Sequence, residues 1–175
     1  MSASGDRTVH LVRHAHALPR GSWTGPDRAR RLSARGERQA EVIGERLAGV
    51  APAAIVSSPA ERCLATLRQL AARTGLAIEE ADSLEEGTDP AAALADLVQR
   101  AEKLERGQSL VACSHGDVIH GILEALEPVG IVPASAAGVP KGSTWELAVD
   151  DGWVSAARFV AAPPPGDGSA LDGQA

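Results

Sequence analysis

The stretch "TVHLVRHAHA", Thr8 to Ala17, changes character in its middle. Thr8 to Val12 reads as a short buried strand, since β-branched and long aliphatic side chains suit a pleated surface packed on both faces. Arg13, His14 and His16 follow at once. Charged and titratable groups are costly to bury unpaired, so they make a poor core. Cationic and titratable groups gathered at the end of an apolar strand are instead a binding site for something negative.

Outward from this stretch, strand and helix patterns alternate. After a turn-rich loop, Ser33 is placed to cap a helix running to about Leu47, with Ala40, Ile43, Gly44 and Leu47 on one face and Glu37, Arg38, Glu41 and Glu45 away from it. A second strand is expected at Ala54–Ser58, with Ser58 capping and Pro59 opening a helix that Gly75 ends. A third strand is expected at Leu76–Glu79. A helix follows from Asp89-Pro90 with Gly107 as its stop. Ser109–Ser114 (SLVACS) is the fourth strand and Gly116–Leu126 the fourth helix. "STWELAV" and "WVSAARFV" flank Asp150-Asp151-Gly152, the pattern of a tight hairpin. The expected fold is a three-layer α/β/α arrangement with a mainly parallel central sheet and a C-terminal antiparallel hairpin. Residues 1–162 are expected to form one domain. Residues 163–175, rich in Pro, Gly and Asp, are expected to be a disordered tail, and Met1–Asp6 a loose lead-in.

Bulk properties exclude several classes of function. The chain has 175 residues, 44% hydrophobic and 23% charged, which is globular and enough for one core. A formal net charge of −6 repels polyanions, so neither nucleic acid nor an acidic membrane is an expected partner. No apolar run approaches the ~20 residues of a membrane span. The N-terminus lacks a signal-peptide layout. Cys63 and Cys113 read as buried free thiols in a reducing compartment, and the expected location is cytoplasmic.

In open parallel sheets, ligands bind beyond the carboxyl ends of the strands. Here those ends carry Arg13-His14, then Ser57-Ser58-Pro59 with Arg62 one turn on, then Ser83-Leu84-Glu85-Glu86-Gly87, then Ser114-His115-Gly116. If the sheet is parallel, all four clusters converge on one rim. Paired guanidinium groups match the oxygens of a phosphoryl group, and helix starts such as that at Gly116 add backbone N–H donors. A histidine kept neutral by neighbouring positive charge can act as nucleophile, and a nearby carboxyl can serve the leaving oxygen and then water. His14, His16 and His120 show no recognised metal-ligand spacing. "PKGST" carries Lys141 but lacks the Gly-rich run of a nucleotide loop, which leaves Lys141 as a candidate for direct contact with a substrate phosphate.

"LVRHAHA", "SSPAERCLAT", "SLEEG" and "CSHGDVI", in that order between about Thr8 and Val160, resemble the histidine phosphatase superfamily, also called phosphoglycerate-mutase-like. The length is similar to that of short bacterial phosphohistidine phosphatases. "DRARRLSARGERQA" and "KGSTWEL" resemble the phosphatase domain found fused to Nudix hydrolases, although these residues contain no Nudix motif. The resemblance implies a metal- and cofactor-independent phosphatase. His14 would be the phosphorylated nucleophile, Arg13 and Arg62 the phosphoryl clamp, and His115 the stabiliser of transition-state charge. Glu86 would be the proton donor, with Glu85 as its rival. Ala15 replaces the glycine common after the catalytic histidine and is expected to narrow the pocket. The expected substrate is a phosphorylated small molecule or phosphoprotein, with phosphohistidine, sugar phosphate and nucleotide all compatible. The rival readings are a phosphoryl-binding module without catalysis and a mutase. The absence of long insertions to exclude water favours hydrolysis over the mutase.

Overall fold

The computed structural model describes residues 6–132 and 138–164. The expected tail beyond 164 and the lead-in before Asp6 lie outside the described residues.

Six strands form one sheet: β1 (Arg7–Arg13), β2 (Ala54–Ser57), β3 (Ile78–Glu80), β4 (Ser109–Ser114), β5 (Thr144–Asp150) and β6 (Trp153–Val160), in the order β3-β2-β4-β1-β5-β6. The first four in that order are parallel. β5 runs antiparallel to β1 and pairs with β6 as a hairpin. Asp151 and Gly152 both have positive φ, 47° and 81°, which a two-residue turn with the twist of a hairpin requires. Four helices, α1 (Ala34–Ala48), α2 (Glu61–Thr74), α3 (Pro90–Glu102) and α4 (Gly116–Leu126), cover the sheet.

The two-residue period of the strands sorts their side chains between two apolar layers. Val9, Leu11, Val56, Leu110 and Ala112 join Leu97, Ile119 and Ile122 of α3 and α4 on one face. Val12, Ile55, Val111 and Cys113 join Ile43, Leu67 and Leu70 of α1 and α2 on the other. The three-layer expectation and the mainly parallel sheet are thus realised.

Ser33 caps α1 by accepting from Gly36 N, and Asp89 caps α3 by accepting from Ala91 N. Four boundaries differ from the expectation. Ser58 is not the cap of α2, which begins at Glu61 after Ala60; the Ser58 hydroxyl accepts from Ala60 N at 3.3 Å, ahead of the helix, and meets a histidine described below. β2 stops at Ser57. β3 lies at Ile78–Glu80, where it pairs with Ile55–Ser57. α3 ends at Glu102, well before Gly107, and the chain turns there so that the Leu104 carbonyl accepts from Arg7 Nε at 2.8 Å. The turn-rich loop after β1 holds two short 3-10 turns, Arg20–Ser22 and Asp27–Ala29.

Candidate active site

β1 and β4 are neighbours, so their carboxyl ends bring Arg13-His14 beside Ser114-His115. The end of β1 is clamped on both sides: His14 N donates to Ser114 O at 3.1 Å, and Arg13 N donates to Ser143 O at 3.0 Å. His14 is 6% exposed. Its Nδ1 lies 2.8 Å from Ala15 O. A carbonyl oxygen only accepts, so Nδ1 carries the hydrogen and Nε2 holds a lone pair. Burial lowers the His14 pKa to about 3, the Ala15 bond opposes this, and the charges of His115, Arg62 and Arg13 add to the depression. The ring is therefore neutral at ordinary pH, with a free Nε2.

The Ala15 methyl does not narrow the pocket. It is fully buried in a small cluster with Leu32, Ala40 and Ala65, pointing into the core. Ala15 N donates to Thr66 Oγ at 3.0 Å, and that hydroxyl donates to Arg62 O at 2.7 Å, which ties the end of β1 to α2.

Arg62 is among the most deeply buried large side chains, and all its terminal contacts are specific. Nη1 donates to Asp27 O at 2.9 Å and lies 3.2 Å from Asp27 Oδ2. Nη2 donates to Glu86 Oε2 at 2.7 Å and to His115 Nδ1 at 3.2 Å. Since Nδ1 of His115 accepts, its Nε2 carries the hydrogen and donates to Ser58 Oγ at 2.8 Å. The rings of His14 and His115 meet edge to face, with centroids 5.4 Å apart and planes at 64°.

A cavity of about 610 Å³ opens at this rim, lined by Arg13, His14, Glu86, His115 and Gly116 among others. Five expected site residues thus share one cavity. Arg62 does not line it and stands behind Glu86 and His115, touching both. Glu85 and Glu86 separate clearly. Glu86 lines the cavity and accepts from Arg20 at 2.6 Å, whereas Glu85 faces Arg28 at 3.6 Å. Asp117 Oδ2 accepts from Gly87 N at 2.8 Å and anchors the Glu86 loop to α4. Gly116 allows a close approach: a Cβ there would lie 2.8 Å from Arg13 Cζ. His16 and Lys141 line one side of the cavity and His120 its outer edge. His10 is buried in β1 opposite Glu146 and takes no part.

Cys63 and Cys113 are buried free thiols, as expected. Their surroundings are less apolar than their sequence neighbours suggest, with Cys63 Sγ 3.5 Å from His115 Nε2.

Sequence reasoning missed Arg20, Asp27, Thr66 and Asp117. Arg20 and Asp27 lie in a loop without periodicity, and the only signal for Asp27 was its place among the arginines of "DRARR". Thr66 could have been found as the residue one helical turn after Arg62.

The fold and this rim define a phosphoglycerate-mutase-like α/β protein with a histidine pair at the strand ends. The profile of the histidine phosphatase superfamily (branch 1) matches residues 9–90 of the chain. It is 31% identical over 157 residues to an 8-oxo-(d)GTP phosphatase of Mycolicibacterium smegmatis, a match covering 90% of this chain and 49% of that protein. The chain thus spans about half the length of that curated relative. A candidate phosphohistidine phosphatase SixA of Agrobacterium tumefaciens superposes with a TM-score of 0.66 at 25% identity, covering 88% of this chain and 96% of that one. The protein histidine phosphatase SixA complexed with tungstate superposes with a TM-score of 0.68 at 18% identity, covering 88% and 94%, a likeness of fold. No helix among the described residues is long and apolar enough to cross a membrane.

Proposed function

We propose that the protein is a phosphatase that hydrolyses a phosphomonoester or phosphohistidine substrate through a phosphohistidine on His14. The observation that carries this reading is the state of the His14 ring: buried, neutral, with Nδ1–H fixed on Ala15 O and Nε2 left as a lone pair beside Arg13 and His115.

In the first step Nε2 attacks phosphorus, an N–P bond forms, the bond from phosphorus to the leaving oxygen breaks, and the Glu86 carboxyl gives that oxygen its proton. In the second step water attacks phosphorus and its proton passes to the Glu86 carboxylate. The N–P bond breaks and phosphate departs, so ester plus water becomes alcohol plus phosphate. Arg13 and the Gly116 N–H stand where they can bind the phosphoryl oxygens. Arg62, behind the cavity wall, holds Glu86 through Nη2 at 2.7 Å and His115 at 3.2 Å and positions both. His115 is held by Arg62 and Ser58 and lines the cavity beside His14. The matched relatives support phosphoryl chemistry: one is named for 8-oxo-(d)GTP, others for phosphohistidine.

Turnover of 4-nitrophenyl phosphate, inhibited by vanadate at the same site, is the expected result. A chain that binds vanadate without releasing phosphate from any monoester is a binding module and overturns the reading.

A further inference from the structure

The cavity is larger than the chemistry so far described requires. Its volume of about 610 Å³ suits a whole small molecule rather than one phosphoryl group. The charges on its walls are also unevenly neutralised. Arg20 is matched by Glu86 at 2.6 Å, Arg30 by Asp27 at 2.8 Å, and Arg62 by both carboxylates. Lys141, half-buried on the wall beside Arg13, has no carboxylate partner among the described residues.

The backbone holds Lys141 in that place. The next residue, Gly142, donates its N–H to Arg13 O at 3.1 Å and His14 O at 3.2 Å, so Lys141 is fixed to the strand end that carries the nucleophile. On the same wall His16 donates from Nδ1 to Ser33 Oγ at 2.7 Å, since that hydroxyl donates to His16 O at 3.1 Å, so its Nε2 is a lone pair and the anion-binding charge on this wall is that of Lys141. Burial lowers the Lys141 pKa, and the charged groups that add most to this are all cationic, Arg13, Arg30, Arg20 and Arg35. In a chain of net charge −6 this convergence is local and goes against the bulk. An anion beside Lys141 would relieve it.

We propose that Lys141 forms a second anion subsite next to the phosphoryl site, so that the preferred substrate carries a second anionic group, phosphate or carboxylate, close to the phosphoryl that is transferred. This rests on the phosphatase reading. Lys141 sets specificity, and the reacting atoms remain those of His14 and Glu86.

Three probes separate the sources of the second charge: 4-nitrophenyl phosphate with one anionic group, inorganic pyrophosphate with a second phosphate, and phosphoglycolate with a carboxylate. Lys141→Gln is expected to lower kcat/KM for pyrophosphate or phosphoglycolate at least tenfold relative to 4-nitrophenyl phosphate, chiefly through KM, with recovery in Lys141→Arg. A drop for pyrophosphate alone assigns the subsite to phosphate, and a drop for both assigns it to anions generally. An unchanged ratio overturns the subsite while leaving the phosphatase reading intact. If wild type hydrolyses none of the three, the phosphatase reading fails. The subsite is then decided by calorimetric titration with methylenediphosphonate and with inorganic phosphate. Tighter binding of the diphosphonate, lost in Lys141→Gln, upholds it, and equal affinities overturn it.

Discussion

The two ends of the sheet use the same residue types to opposite effect. At the amino ends of the parallel strands, Arg106 meets Asp150 at 2.9 Å and Asp151 at 3.2 Å, all three well exposed to water. At the carboxyl ends, Arg62 meets Asp27 and Glu86 at similar distances, but its side chain is only 2% exposed. Exposed pairs are screened and contribute little, whereas a charge held in the interior makes each of its few partners matter. Burial, more than the presence of charge, separates a wet surface from a reactive rim.

This contrast is sharpest in five substitutions or conditions. His14→Ala is expected to lower kcat by about 10⁴-fold or more, the scale for removing a nucleophile, measured as phosphate release in a protein whose melting curve remains cooperative. Arg62→Ala, which removes the group that positions both Glu86 and His115, is expected to cost on the order of 10²–10³ in kcat, the scale of one misplaced transition-state contact; a loss confined to KM would break the argument from burial. Glu86→Gln is expected to slow an alkyl phosphate by about 10²-fold and an aryl phosphate less, because a good leaving oxygen needs less acid help. Equal losses on both would remove Glu86 from proton transfer.

The fourth test uses pH. The folded-state pKa of His14 is about 3 against an ordinary 6.5. Between those values the unfolded chain carries a proton that the folded chain lacks. Stability should therefore fall as pH drops from 6.5 toward 3, by up to about 1.4 kcal/mol per pH unit, with no contribution from His14 above 6.5. Urea unfolding at pH 7 and pH 5 should show a smaller loss in His14→Gln than in wild type. The smallest effect belongs to the other end of the sheet, where Arg106→Ala should leave both turnover and melting temperature unchanged.

Particular residues show how far the sequence could be read. The strand-end clusters were visible because each follows an apolar run at the same point of a β-α unit, and Ser33 and Asp89 were visible as caps because capping is local chemistry. What escaped depends on contacts distant in sequence. Whether Glu85 or Glu86 enters the cavity is decided by Asp117 holding Gly87, an anchor thirty positions away. The Ala15 methyl points into the core because Leu32 and Ala65, from other segments, meet there. Ser58, expected as the cap of α2, meets His115 from a distant segment. Arg62 is placed behind the cavity wall, and no spacing along α2 could reveal that.

Trapping the phosphorylated protein tests the central claim most directly. After acid-free quenching during turnover of a ³²P-labelled monoester, the account predicts a base-stable, acid-labile label on the peptide containing His14, formed and discharged at rates compatible with kcat. Full turnover with no labelled protein, or with the label on any other residue, would contradict it.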